Sequence, residues 1–179
     1  GSFLREWSAL YDSKSGERGI FNRQAAQKQA AKYGRREANW DYGTNPCSEI
    51  ILRPRQFCNL SEVVVRADDT KESLQRKIEL ATILGTIQSC FTDFKGLGKQ
   101  WSNNTEEERL LGVSLTGILD NAMLANKTKD NLPNLLGSLR VGAVGINKKW
   151  AALLDIEPSA AITCVKPSGT VSQLVDASS

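Results

Sequence analysis

Two stretches rich in branched residues, Phe57–Arg66 and Leu110–Ile118, flank a long helical pattern, and this constrains the fold more than any other feature. Branched and aromatic residues suit a pleated, half-buried surface, whereas the intervening pattern repeats at helical spacing. There Leu74, Ile78, Ala81 and Gly85 share one face. A strand, a covering helix and a second strand predict a parallel pair, and so an α/β fold. Asp69 with Glu72 is expected to form a capping box opening that helix, and Thr105 with Glu108 a second one ahead of the later strand. The second strand is expected to end at Gly117.

Helices are expected over 3–12, where Phe3, Leu4, Trp7, Leu10 and Tyr11 recur, and from about Gln24 to Tyr33 with Gly34 as a stop. Ser13–Arg18 reads as a polar loop, and Trp40–Arg55 as irregular or extended. Pro133 precedes a third helical pattern to about Leu154, with Leu136, Leu139, Val141 and Val144 as its buried stripe. Ala161–Val165 reads as a short buried strand. No repeat or linker breaks the chain, so one domain, or part of one, is expected.

With 40% hydrophobic and 24% charged residues the composition is that of a globular protein. A net charge of +3 and scattered basic residues argue against direct nucleic-acid binding. The doublets Arg35-Arg36 and Lys148-Lys149 read as solvated helix faces. No apolar run is long enough for a membrane span. Four dispersed cysteines without a Cys-x-x-Cys pair, and no export signal, suggest a reducing, cytoplasmic setting. The chain has no histidine, which excludes a self-contained Ser-His-Asp or Cys-His unit and leaves no support for a metal site.

Chemistry concentrates in Thr44-Asn45-Pro46-Cys47-Ser48-Glu49-Ile50, with Cys58 eleven positions after Cys47. In an extended segment Asn45, Cys47 and Glu49 point to one side. An amide, a thiol and a carboxylate there suit work on one small substrate. The same pattern also fits a solvated strand, and the two thiols fit unconnected packing residues. Cys90 and Cys164 read as packing residues, and the four tryptophans as core or lid-packing groups. A second cluster, Lys166-Pro167-Ser168-Gly169-Thr170-Val171-Ser172, offers hydroxyls, backbone N–H groups and a helix start that suit a phosphate. On pattern alone, an ordinary capped helix after a tight turn is the favoured reading.

Asn45–Ile50 followed by Phe57-Cys58-Asn59-Leu60-Ser61-Glu62-Val63 resembles the finger-loop region of ribonucleotide reductase large chains, above all the monomeric adenosylcobalamin-dependent (class II) triphosphate reductases. Ser15–Arg23, Thr92-Asp93-Phe94, Leu111–Gly117 and Ile162–Ser172 agree in the same order. The resemblance implies a segment of a ten-stranded α/β barrel, with a finger loop at about 43–57 and a phosphate-binding turn at 166–172. It implies that Cys47 carries a thiyl radical, that Glu49 takes the 3′-hydroxyl proton, that Asn45 hydrogen-bonds substrate oxygens and that Cys58 is one of two reducing cysteines. Ser168, Gly169, Thr170, Val171 and Ser172 would hold substrate phosphates.

Adenosylcobalamin would be the cofactor, a ribonucleoside di- or triphosphate the substrate, and a thioredoxin-like protein the reductant. The second reducing cysteine, a cobalamin platform and an allosteric site are not recognisable in the chain. It therefore reads as a middle catalytic segment, inactive without reductase segments that supply the rest. Two other readings stand beside this one. One is a non-catalytic nucleotide-binding or assembly piece of a split reductase. The other is a thiol–disulfide protein using Cys47 and Cys58.

Overall fold

The computed structural model describes residues 1–16, 19–125 and 131–178. Glu17 and Arg18, within the Ser15–Arg23 motif and the expected Ser13–Arg18 loop, lie outside the described residues, as does Ser179.

The predicted parallel pair is present. Strand β3 (Asn59–Val64) runs beside β4 (Leu111–Thr116) in register Asn59↔Leu111 to Val64↔Thr116. Helix α3 (Lys71–Gln88) crosses between them and lies on both strands. Helix α6 (Leu132–Leu153) packs on α3. Val63, Val65, Leu111 and Val113 from the strand side meet Leu74, Ile78, Leu139 and Ala143 from the helices in one core. Gly85 lets α3 approach: a Cβ there would stand 3.1 Å from the Leu111 side chain.

A third extended segment follows β4 on its other side. Leu111 N–H donates to Ala161 O (2.9 Å), Val113 N–H to Ile162 O (2.8 Å) and Cys164 N–H to Val113 O (3.1 Å). The expected Ala161–Val165 strand reduces to this one parallel bridge at Thr163. It is not buried throughout, since Val165 is 86% exposed.

The remaining elements precede this unit or connect it. Helix α1 spans Ser2–Ser13 and α2 spans Arg23–Ala31. Within the expected irregular stretch, β1 (Gly43–Thr44) and β2 (Ile51–Leu52) form a short antiparallel hairpin. Helix α4 covers Lys99–Glu108, the short α5 covers Ala122–Ala125, and α7 (Val171–Leu174) has only four residues. No helix among the described residues is long and apolar enough to cross a membrane.

Several local expectations are corrected. Helix α3 is capped by Thr70 with Ser73, not by Asp69 with Glu72. Ser73 N–H donates to Thr70 Oγ1 (3.2 Å), and Thr70 N–H to Ser73 Oγ (2.9 Å). Asp69 instead accepts from the Ser73 hydroxyl at 2.6 Å. Thr105 and Glu108 close α4 rather than opening anything, because an αL residue, Arg109, ends the helix there.

The buried face of α6 is Leu139, Ala143, Asn147 and Ala151, spaced four apart; Leu136 and Val141 of the expected stripe are 43% and 70% exposed. Helix α1 buries no residue, and Trp7 is exposed on it, meeting only Phe3 of the same helix among the ring contacts of the described residues. Cys90 is likewise exposed.

Arg36 is no solvated face residue. Its guanidinium grips Glu108 through Nε–Oε1 and Nη2–Oε2 contacts of 2.8 Å each. Gln56 Nε2 donates to Glu108 Oε2 (2.6 Å), and Arg53 stands 3.3 Å from Oε1. Arg53 also donates to Glu107 at 2.7 Å and lies over the Trp40 ring at 4.5 Å. This buried network fastens the far side of the hairpin to α4.

Candidate functional site: the 45–50 loop and the 166–172 turn

The hairpin positions the first cluster, but not by extension. Its two-residue arms leave residues 45–50 as a closed turn. Ser48 N–H donates to Asn45 O (3.0 Å), and Ser48 takes φ 64, in the left-handed region. The alternate-residue geometry expected for a stretched segment is thus replaced by a turn that Asn45 staples. Asn45 Oδ1 accepts from Ile50 N–H (3.1 Å), and its Nδ2 donates to Glu49 Oε1 (2.6 Å). Asn45 and Glu49 are brought together for this reason, while Cys47 is exposed at the tip.

Lys166 completes the group. Its Nζ lies 3.0 Å from Glu49 Oε1, with the Cys47 side chain near enough to help hold the ammonium charged. The Glu49 side chain is 4% exposed, and its second oxygen, Oε2, is buried with no partner among the described residues. Burial alone would raise the Glu49 pKa. Hydrogen bonds from Lys166, the backbone and Asn45 outweigh it and hold the carboxyl below its ordinary value. The same hydrogen bond, donated to Glu49, raises Lys166. At neutral pH the pair is a carboxylate and an ammonium.

The face of the sheet opposite the helical core supplies the floor. Leu60 pairs with Gly112, and Glu62 with Ser114. Cys58, two residues before Leu60, shares their side by strand periodicity. Gly112 makes room there. A Cβ on it would fall 2.4 Å from Leu60 Cδ2, 3.1 Å from Cys164 Sγ and 3.4 Å from Ile50 Cδ1.

Cys58 and Cys164 are both half-buried free thiols. Burial raises the Cys58 pKa, and the Glu49 carboxylate adds to the effect. Burial, then Glu49 and Cys58, push Cys164 up to about 11. Both therefore remain S–H at neutral pH, hydrogen donors rather than thiolates. Glu62 is raised by burial against the pull of Lys166, and its Oε1 is buried without a partner among the described residues. Sequence reasoning missed Lys166 as a neighbour of Glu49, and it missed Glu62 and Cys164. Strand alternation from Cys58 through Leu60 to Glu62 was the available signal for Glu62. Nothing local signals a contact between residues 117 positions apart.

The second cluster lies at the end of the 161–166 segment. Gly169 takes φ 54, Val171 N–H donates to Ser168 O (2.9 Å), and the Ser172 hydroxyl turns inward to Gly169 O (3.4 Å). Ser172 is buried, whereas Gly169, Thr170 and Val171 are exposed. The expected helix start is a single four-residue turn, so what this stretch offers an anion is local amides and hydroxyls, with little macrodipole.

A parallel α/β unit with thiols, a buried carboxylate and a lysine gathered at one sheet face defines the class: a parallel α/β segment carrying a candidate site. Comparisons make this particular. A solved crystal structure of a B12-dependent (class II) ribonucleotide reductase matches with a TM-score of 0.62 and 25% identity, over 76% of this chain and 22% of that one. The adenosylcobalamin-dependent ribonucleoside-triphosphate reductase of Lacticaseibacillus paracasei is 29% identical over 95% of this chain and 26% of its own length. Its counterpart in Levilactobacillus brevis is 27% identical over 99% of this chain and 27% of its own length. No family model matches the chain. The chain spans about a quarter of the length of these curated relatives. The resemblance carried by the ordered motifs is thus shown: the chain is similar, over most of its length, to adenosylcobalamin-dependent ribonucleotide reductases.

Proposed function

We propose that this chain is a catalytic segment of a ribonucleotide reductase, turning a ribonucleotide into a 2′-deoxyribonucleotide by thiyl-radical chemistry. The observation that carries this reading is Glu49: a buried, ionised carboxylate beside Cys47 and Asn45, with one oxygen unpartnered. A buried lone oxygen is costly unless something arrives to use it, and a ribose hydroxyl fits.

With Cys47 as a thiyl radical, the sulfur takes the 3′ hydrogen and becomes S–H. Glu49 accepts the 3′-hydroxyl proton, to be returned when the 3′-ketone is reduced, while a thiol of the reducing pair protonates the 2′-hydroxyl, which leaves as water. Cys58 and a second thiol then supply two electrons and close to a disulfide, and Cys47 returns its hydrogen to C3′. The sum is ribonucleotide plus two thiols giving deoxyribonucleotide, one disulfide and one water. Asn45 hydrogen-bonds the substrate oxygens, and Ser168, Gly169, Thr170, Val171 and Ser172 hold its phosphates.

In this reading the parallel unit is part of a ten-stranded barrel, with residues 43–57 as its finger loop. The other reductase segments supply the partner of Cys58, and a thioredoxin-like protein re-reduces the pair in the cytoplasm. Adenosylcobalamin would supply the radical. The described residues offer only the thiol it would act on, Cys47, exposed at the loop tip. Holding the cofactor falls to other parts of a longer protein.

The test combines the chain with the remaining reductase segments, adenosylcobalamin, a ribonucleoside triphosphate and a dithiol. Deoxynucleotide should form only in the mixture, and Cys47→Ala should abolish it with substrate affinity little changed. Turnover by the Cys47→Ala assembly would remove Cys47 from the radical role. Nucleotide binding without turnover in the complete mixture would favour a non-catalytic assembly piece.

A further inference from the structure

We propose that Lys166 is a positioning residue that ties the base Glu49 and the thiol of Cys47 to the phosphate turn; the inference rests on the reading of Glu49 as the base. Three observations meet at this one side chain. Its Nζ is 3.0 Å from Glu49 Oε1, the same oxygen that accepts the Asn45 amide at 2.6 Å. The nearby Cys47 side chain also helps to hold its ammonium charged. And it stands two residues before Ser168, where the chain leaves the sheet for the 168–172 turn.

The geometry divides the two oxygens of Glu49. Oε1 is saturated by Asn45 and Lys166, which fixes the carboxylate plane. Oε2 is left buried and unpartnered, facing whatever enters. A carboxylate held this way keeps its rotamer and its charge before substrate arrives, which is the preorganisation a general base needs. Because Lys166 and the turn share one short segment, a shift of the turn when it takes a phosphate moves the ammonium too. The thiol and the base would then be set by the same event that seats the substrate.

The other groups facing Glu49 do not provide this. Cys58 just before β3, Glu62 on β3 and Cys164 from the third segment stay neutral or add negative potential. Arg35, Arg36, Arg140 and Lys148 line a cavity of about 540 Å³ that also reaches Glu49, but none of them bonds its carboxylate. Lys166 is the cation in contact.

The decisive measurement is a carboxyl-carbon NMR titration of Glu49 in the full chain, in wild type, Lys166→Met, Lys166→Gln and Lys166→Arg. Loss of the ammonium should raise the Glu49 midpoint by about one pH unit, a tenfold change in proton affinity, and Lys166→Arg should restore it. Lys166→Gln keeps a polar head at similar length and serves if the Met variant does not fold. An unchanged midpoint in the neutral variants overturns the proposal.

In the assembled reductase, Lys166→Met should lower kcat at neutral pH about tenfold with KM within about twofold, and move the acid limb of the pH profile upward by about one unit. A raised KM with kcat intact would make Lys166 a phosphate ligand and overturn the positioning role. The titration needs no turnover, so an active Cys47→Ala assembly would sink the radical reading while the Lys166–Glu49 result stood.

Discussion

At the scale of single residues, the chain uses polar side chains for geometry before it uses them for chemistry. Asn45 closes its own turn and orients Glu49, so its amide acts on the loop whether or not a substrate is present. Glycines act in the opposite way, by absence. Gly117, at φ 76, ends β4, and a Cβ on it would stand 2.5 Å from the carbonyl oxygen of Val65. Its N–H donates to Ser178 O at 2.9 Å, which ties the end of α7's segment to the sheet. Gly117→Ala combines a left-handed backbone with a backbone clash and should cost at least ~1–3 kcal/mol, read as a lowered denaturation midpoint. Asn45, Cys47, Glu49 and Cys58 stood out in the sequence as candidates for chemistry because their types and order are distinctive. Lys166 was visible only as a nearby charge, because its contact with Glu49 joins two distant segments.

Elements were legible where periodicity is long and local. The parallel pair, α3 and α6 all appear where alternation or helical spacing places them. What failed was the assignment of faces and caps. Two acid-bearing tetrads looked like capping boxes, yet Thr70 outcompeted Asp69 and Arg109 stopped α4 after Glu108. Glu108 illustrates why. Its carboxylate is 1% exposed and is shared by Arg36, Arg53 and Gln56, which belong to the loop after α2 and the stretch after β2.

No local rule reports such a partner set. Removing one member of a buried charge network leaves its cations uncompensated, so Glu108→Ala should cost ~3–5 kcal/mol, measured by denaturant unfolding. Glu107 is 63% exposed on the same network, and Glu107→Ala should cost no more than ~1 kcal/mol. Nearly equal losses for the two would mean that burial does not decide their worth.

At the scale of the whole molecule, buried carboxylates set the acid limit of stability. Asp69 is pushed up by burial, but Lys77, Ser73 and the Arg66 backbone N–H overcome this and hold it below its ordinary value. Glu49 behaves the same way. A carboxyl whose folded pKa is depressed contributes stability above its unfolded value, near 4, and loses it as pH falls through the folded value. Thermal midpoints should therefore be level near neutrality and fall below about pH 4. Asp69→Asn should start lower at pH 7 and fall less on acidification. A variant that loses as much again below pH 4 would assign the acid sensitivity elsewhere.

Residue order and pattern determined the parallel α/β unit, the identity of the thiol, amide and carboxylate cluster, and the resemblance to reductases, because each is written in neighbouring positions. Tertiary structure alone decided that residues 45–50 turn rather than extend, that Arg36 and Glu108 are buried partners, and that Glu49 meets Lys166. Those outcomes depend on which distant segments share a desolvated contact. Burial makes such contacts strong, and sequence spacing does not record it.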